Sequence, residues 1–297
     1  MIVNICCCGS SGSTLLSHLL NRHPEMVCGE ELSIFSNNKM YEKFNLVRDN
    51  FDFIMNKSLP DFPYSPFPNQ PGKQILTSYS TYNMNYSDLK NWILQANTFI
   101  DFTFHIKEHI LNMTNKKIWV EKTPENIMAV GNFLNHFNGD NVKVIHIVRD
   151  PRDVILSLMK RGYTFTNSAE RWLSSVSFIQ KYRNDDRVLE IRYEDLVNSP
   201  NIILEKICEF IDTKFHNDYF YSDRYESKNI KRESGLKSWD NNPKAKISKN
   251  SIKKFQNSSI DFNILKKLIV TKEFSSLVDI NQYSLIELAN LYGYEFE

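Results

Sequence analysis

The chain has 297 residues, 41% of them hydrophobic, enough for one large α/β core with embellishments or a core plus a small appendage. Lysine and arginine total 36 against 35 acidic residues, a formal charge of +1, so no global field steers the protein toward nucleic acid or anionic lipid and any anion must be bound locally. No stretch approaches the roughly 18 consecutive apolar residues of a membrane span, Met1 to Cys8 does not read as a signal peptide, and Cys6, Cys7, Cys8, Cys28 and Cys208 form no CxxC pair, so a cytoplasmic protein without disulfides or zinc is expected.

Short apolar runs alternate with helical patterns, the signature of a mostly parallel sheet covered by helices. Strands are predicted near Ile2 to Cys8, Ile118 to Glu121, Val142 to Val148 and Val188 to Ile191. The first runs into GSSGST, after which Leu15, Leu16, Leu19 and Leu20 line one helical face. A small-residue turn opening a helix offers backbone N–H groups and the positive end of the helix dipole to an anion, with the Ser13 and Thr14 hydroxyls as further donors. It resembles a P-loop without the lysine of GxxxxGK[ST], and by itself reads equally as a structural helix start. The chain then returns through His23-Pro24 to Glu30 and Glu31, where one acid could serve as a general base and where a solvated acidic turn is the alternative.

From Leu32 to Lys117 the periodicity weakens. Five of the ten prolines fall between Pro60 and Pro71, interleaved with Phe62, Tyr64 and Phe67, which predicts an irregular loop that either shapes an acceptor cleft or merely connects. His105 and His109 share a helical face but lack a third metal ligand. The second strand ends in Lys122, and Thr123 is placed to cap a helix opening with Pro124. The third carries His146, expected as a core histidine, and ends in Arg149; Asp150 then caps a helix opening with Pro151 and holding Asp153 in its first turn. Tyr193 follows the fourth strand. From about Thr213 the tail reads as helical and polar, with a basic stretch from Arg224 to Lys254 that includes SGLKSW, and it closes on an apolar helix with Leu285, Leu288 and Leu291.

In open α/β sheets ligands sit outside the carboxyl ends of the strands, so the Gly9 to Thr14 turn, Lys122 and Arg149 should converge on one crevice. A cation about 4 Å from a phosphate gains on the order of 4 kcal/mol at an effective dielectric of 20, before desolvation. Ser157 lies roughly 9 Å along the helix that follows Arg149, so an anion touching both rests against the helix side. Two separate anion positions result, as a nucleotide phosphorylated at both 5′ and 3′ requires.

Taken in order, GSSGSTLLSHLLNRHPEMVCGEE, WVEKTPEN, VIHIVRDPRDVILS and IRYEDLVNSP resemble the sulfotransferase superfamily that uses 3′-phosphoadenosine 5′-phosphosulfate (PAPS), particularly its tyrosylprotein and bacterial branch. The resemblance implies a P-loop NTPase-like α/β fold, a central mostly parallel sheet flanked by helices with a largely helical C-terminal extension. It implies one domain over residues 1–297, with 32–117 a variable insertion lining the acceptor cleft and 213–297 the extension. By motif match Ser10, Ser11, Gly12, Ser13 and Thr14 hold the 5′-phosphosulfate, Arg149 and Ser157 the 3′-phosphate, and Tyr193 the adenosine part. Glu31 is then the general base and Lys122 stabilises the bridging oxygen, with PAPS as donor, PAP as product and no metal required. The base need only act late, because an acceptor hydroxyl acidifies as its oxygen bonds to sulfur. The family usually has a basic residue where this chain has Ser10, and losing such a contact typically costs about 10² to 10³ in rate unless another cation replaces it. SGLKSW is similar to late family segments that close over the 3′-phosphate, and a solvated charged face is its other reading.

Two further functions remain open to the residues. A P-loop kinase or NTPase would use the same turn with Asp150, against the missing lysine. A catalytically weak nucleotide-binding module is the other, motivated by Ser10. The acceptor is a small-molecule, carbohydrate or peptide hydroxyl, with no nucleic-acid partner and no membrane span expected.

Overall fold

Along β1 (Ile2–Cys7) the side chains alternate between two apolar clusters, Val3, Ile5 and Cys7 on one face and Ile2 and Cys6 on the other, and all six residues are buried. A strand covered on both faces needs helices on both faces. The computed structural model, which describes residues 1–52, 79–138, 141–221, 224, 226, 247–267 and 283–296, supplies them. β1 is the centre of a five-stranded parallel sheet of order β2-β3-β1-β4-β5, completed by β2 (Met26–Val27), β3 (Ile118–Lys122), β4 (Val142–Val148) and β5 (Val188–Arg192). Cys6 lies opposite His146, and Ile5 opposite both Lys122 and Ile145. The chain lays β2 and β3 to one side of β1 and β4 and β5 to the other, so the strand order reverses at β1, and it is outside the carboxyl ends of the strands at such a point that open α/β sheets bind ligands.

The four predicted strands are present within a residue at either end; the two-residue edge strand β2 carried no readable pattern. α1 (Ser13–Asn21) packs on the β1 face that holds Leu16, Leu19 and Leu20, while Leu15 is only partly buried. The region from Leu32 onward is more ordered than its periodicity suggested. It contributes α2 (Asn38–Glu42), α3 (Phe44–Asp49), α4 (Tyr86–Gln95) and α5 (Phe99–Thr114). The last two open with reciprocal capping boxes, Asn85 with Asp88 and Thr98 with Asp101. With α6 (Val130–His136) they bury an aromatic cluster on the second sheet face, where Phe35 meets Phe133 edge-on at 4.8 Å between ring centres. The Pro60 to Pro71 loop lies outside the described residues.

Asp150 caps α7 (Pro151–Met159) as expected, its side chain accepting from the Arg152 amide at 2.9 Å. Thr123 does not cap. A 3₁₀ turn, Pro124–Ala129, follows it, and its hydroxyl is turned back to Glu121 at 2.7 Å. α8 (Phe165–Gln180) packs beside α7, and α9 (Tyr193–Asn198) starts directly from β5 and leads into α10 (Pro200–Phe210) and the short α11 (Asp218–Tyr221). The described part of the C-terminal extension is mainly 3₁₀ turns, Lys249–Ser251, Lys254–Asn257 and Phe262–Lys267, closing with α12 (Leu285–Leu291). Leu285 and Leu288 anchor α12 in the core, whereas Leu291 is half-exposed. No helix among the described residues is long and apolar enough to cross a membrane.

Candidate active site

At the end of β1 the backbone turns through Ser10 (φ 73) and Gly12 (φ 99) before entering α1. Gly12 is the N-cap and offers no side-chain cap, which leaves the first amides of α1 available to a ligand. A Cβ on Gly12 would lie 2.2 Å from the Tyr193 ring, so only glycine lets that ring cover the turn. The Ser13 side chain is buried beside the Cys7 thiol, and Ser13 opens α1. Thr14 remains half-buried at the mouth. The Ser10 and Ser11 hydroxyl oxygens are buried without a hydrogen-bond partner among the described residues.

Arg149, at the end of β4, reaches across to this turn. One guanidinium nitrogen donates to the Ser10 carbonyl at 2.9 Å and the other to the Ser251 carbonyl at 2.6 Å, while the group lies 4.7 Å from the Tyr193 ring centre. Its Nε is buried without a partner among the described residues. The Tyr193 hydroxyl is 2.8 Å from the Ser251 hydroxyl, so the turn at Lys249–Ser251 touches both residues. Asp153, Ser157 and Lys160 follow Arg149 at spacings that keep them on one stripe of α7. Lys254 joins them, and burial together with the nearby charges of Arg149 and Lys160 lowers its pKa against the opposing charge of Asp153. Three cations and one carboxylate around a half-buried serine make a site suited to an anion.

On the other side of β1 stand Lys122 and Glu31. They form an ion pair in which Lys122 is 6% exposed and Glu31 39%. Burial works against the lysine charge, but Glu31 outweighs it and the Lys122 pKa is raised. The adjacent Glu121 points to the opposite face of β3, 1% exposed. It accepts from the Leu32 amide at 3.1 Å, the Ser33 amide at 3.2 Å, the Thr123 hydroxyl and the Asn126 side-chain amide. Burial still outweighs these donors and pushes its pKa up to about 7. The Tyr82 hydroxyl accepts from the Gly29 amide at 2.7 Å.

Arg171 on α8 lies 3.8 Å from Glu125 and 4.9 Å from the Tyr163 ring centre, and its charge acts on the Cys8 thiol where β1 runs into the turn. Burial, then the nearby Glu31 charge, raises the Glu125 pKa, which weakens the hold of that carboxylate on Arg171.

The sequence-predicted residues therefore fall into two joined groups. Ser10, Ser11, Gly12, Arg149 and Tyr193 are in direct contact or one residue from it, with Ser157 on the stripe beyond; Glu31 and Lys122 are paired, and Lys122 stands opposite Ile5 on β1, the strand that leads into the turn. Glu121, Lys160, Arg171, Ser251 and Lys254 carried no motif that singled them out. His23 orients its turn, bonded to the Lys214 carbonyl and accepting from the Glu25 amide. His146 is buried with one ring nitrogen on Glu190 at 3.1 Å and the other without a partner among the described residues. His109 bonds the Tyr82 carbonyl, and no group of three His, Cys, Asp or Glu among the described residues could hold a metal. SGLKSW lies outside the described residues.

The model of the sulfotransferase family matches residues 3–217. The 3-beta-hydroxysteroid sulfotransferase of Cavia porcellus is 26% identical over 132 residues, 37% of this chain and 43% of that protein, so the match spans less than half of that relative. The sulfotransferase domain from the Synechococcus PCC 7002 olefin synthase superposes with a TM-score of 0.67 at 21% identity, covering 100% of this chain and 95% of its own. The sulfotransferase domain from the curacin biosynthetic pathway gives 0.56 at 20% identity, covering 100% and 98%. At these identities the likeness to solved structures concerns the fold.

Proposed function

The chain belongs to the sulfotransferase family, and from that premise we propose that it moves a sulfuryl group from PAPS to a hydroxyl of a small-molecule, carbohydrate or peptide acceptor. One observation carries the reading. Three buried donors, the Ser10 and Ser11 hydroxyls and the Arg149 Nε, lack partners among the described residues at the turn that opens α1 without a side-chain cap. Buried polar groups are rarely left so, and an anionic ligand satisfies all of them. The 5′-phosphosulfate fits Ser11 to Thr14. The 3′-phosphate fits Arg149 and Ser157 with Lys160 and Lys254, and Tyr193 flanks the adenosine.

In the reaction the acceptor oxygen attacks sulfur as the bridging S–O bond breaks. Glu31 takes the acceptor proton and Lys122 stabilises the oxygen that leaves with PAP. Their ion pair holds the Lys122 charge, its pKa raised by the Glu31 carboxylate, before substrates arrive. Arg171 supplies the cation that position 10 does not, because its charge acts where β1 runs into the turn and it has a single, loosely held carboxylate partner among the described residues.

The kinase reading fares worse. Asp150, its candidate metal ligand, is committed to capping α7 and to Arg152 at 2.7 Å. The test is calorimetry with PAP in the absence of metal beside ATP with magnesium. Micromolar PAP binding and weaker ATP binding are expected; tighter ATP binding overturns the proposal. A labelled-sulfate screen over phenolic, carbohydrate and peptide acceptors then identifies the substrate.

A further inference from the structure

We propose that Glu121 is the positioning residue for the base: its buried carboxylate and the Tyr82 hydroxyl hold the backbone on either side of Glu31 and so fix where that carboxylate stands. The inference rests on the reading of Glu31 as base.

Glu31 belongs to a loop without regular structure, exposed enough to meet an acceptor, and a flexible loop is a poor platform for a group that must act within a few tenths of an ångström. Both flanks are tied down by groups from the core. Before Glu31, the Tyr82 hydroxyl accepts from the Gly29 amide at 2.7 Å and donates to the Glu30 carbonyl at 3.4 Å. A Cβ on Gly29 would come within 2.6 Å of the Tyr82 ring, so the fit leaves no slack. After Glu31, Glu121 takes the Leu32 and Ser33 amides, and the Ser33 amide also reaches the Thr123 hydroxyl at 3.1 Å. Ser33 stands at φ 56, a conformation costly for a serine unless its surroundings enforce it. Since Glu121 and Lys122 are neighbours on β3, one strand end carries both the anchor of the Glu31 loop and the ion-pair partner of Glu31. The base and its lysine are thereby registered against each other through a single rigid element.

The polar network behind Glu121 allows a sharp test. Asn126 gives its side-chain amide to both Glu121 and the Asn4 Oδ1, while the Asn126 Oδ1 and Asn4 Nδ2 have no partner among the described residues. Turning both amides over satisfies a glutamine at 121 as fully as a glutamate. Glu121→Gln keeps the acceptor for the Leu32 and Ser33 amides; Glu121→Ala strands them.

The measurements are kcat and KM with PAPS as donor and PAP affinity by calorimetry, for Glu121→Ala, Glu121→Gln and Tyr82→Phe. Glu121→Ala is expected to lower kcat about 100-fold, the effect of misplacing a catalytic group by about an ångström, with PAP affinity within about threefold of wild type. Glu121→Gln should restore kcat to within about fivefold. Should the alanine variant not fold, Tyr82→Phe carries the test, with kcat about tenfold lower and PAP binding unchanged. Full turnover by Glu121→Ala, or by Tyr82→Phe where the alanine variant does not fold, overturns the proposal. So does an equal loss of kcat and PAP affinity in Glu121→Ala and Glu121→Gln together. Wild-type turnover by Glu31→Gln would instead remove the base assignment itself.

Discussion

The two halves of the site are held in different ways. On the base side every anchor is buried: Glu121 from the sheet, Tyr82 and Tyr79 from the segment before α4, with the Tyr79 hydroxyl on the Leu32 carbonyl at 3.4 Å. On the side of Arg149 and Tyr193 the closing piece is the Lys249–Ser251 turn, where Ser248, Lys249 and Asn250 are exposed and the contacts to the core run through Ser251. Buried anchors can be displaced only with loss of packing, whereas an exposed turn opens at small cost. Under the proposed function, the base would sit on the first kind of support and the nucleotide would pass the second.

The comparison breaks most visibly at the chemistry. Glu31→Gln should reduce kcat about 10³-fold while leaving PAP affinity within about threefold, since a base contributes typically 10² to 10⁴ and does not face the 3′-phosphate. Calorimetry and turnover on the same preparation decide; loss of PAP binding would mean the halves are not separable. Arg171→Ala follows, with kcat expected down about 10² and PAP binding kept, because the guanidinium addresses the transferring group alone. Undiminished turnover would remove Arg171 from the site.

The buried anchor also leaves a mark on stability. The Glu121 pKa is about 7 against an ordinary 4.5, so the folded chain holds this proton more tightly than the unfolded one. The associated stabilisation is complete below about pH 4.5 and is lost as pH rises through 7, on the order of 3 kcal/mol in all. Glu121→Gln removes this slope. Its melting temperature should exceed that of wild type by more at pH 8 than at pH 5, and a constant difference would show that Glu121 is not held protonated by burial.

Much of this was legible beforehand for local reasons. β-branched runs mark β1, β3 and β4, the Gly-Ser turn marks the start of α1, and the spacing from Arg149 to Ser157 is a helical spacing whatever the fold. The capping boxes at Asn85 and Thr98 were equally local signals, hidden inside a region whose apolar periodicity is weak. Glu121 was not readable, because a carboxylate beside a strand-end lysine looks solvated until the sheet places it on the inner face. Ser251 and Lys254 lie about a hundred residues beyond Arg149, with no motif to tie them to it, and only tertiary structure brings them there.

Arg149→Ala tests the nucleotide half, where two charge-assisted bonds to carbonyls and the Tyr193 contact are lost along with the phosphate partner; PAP should bind about 30- to 100-fold more weakly. The smallest effect is the most discriminating. Ser251→Ala removes only the hydroxyl that meets Tyr193, leaving the Ser251 carbonyl on Arg149. If the turn must open for the nucleotide, the variant loosens the closed form more than the bound one, and PAP association measured by stopped flow should quicken about two- to fivefold with little change in kcat for a chemical step governed from the other half. If Ser251 instead contacts the nucleotide directly, dissociation quickens and association stays as it was, which would make the turn part of the binding surface and erase the contrast between a fixed half and a movable one.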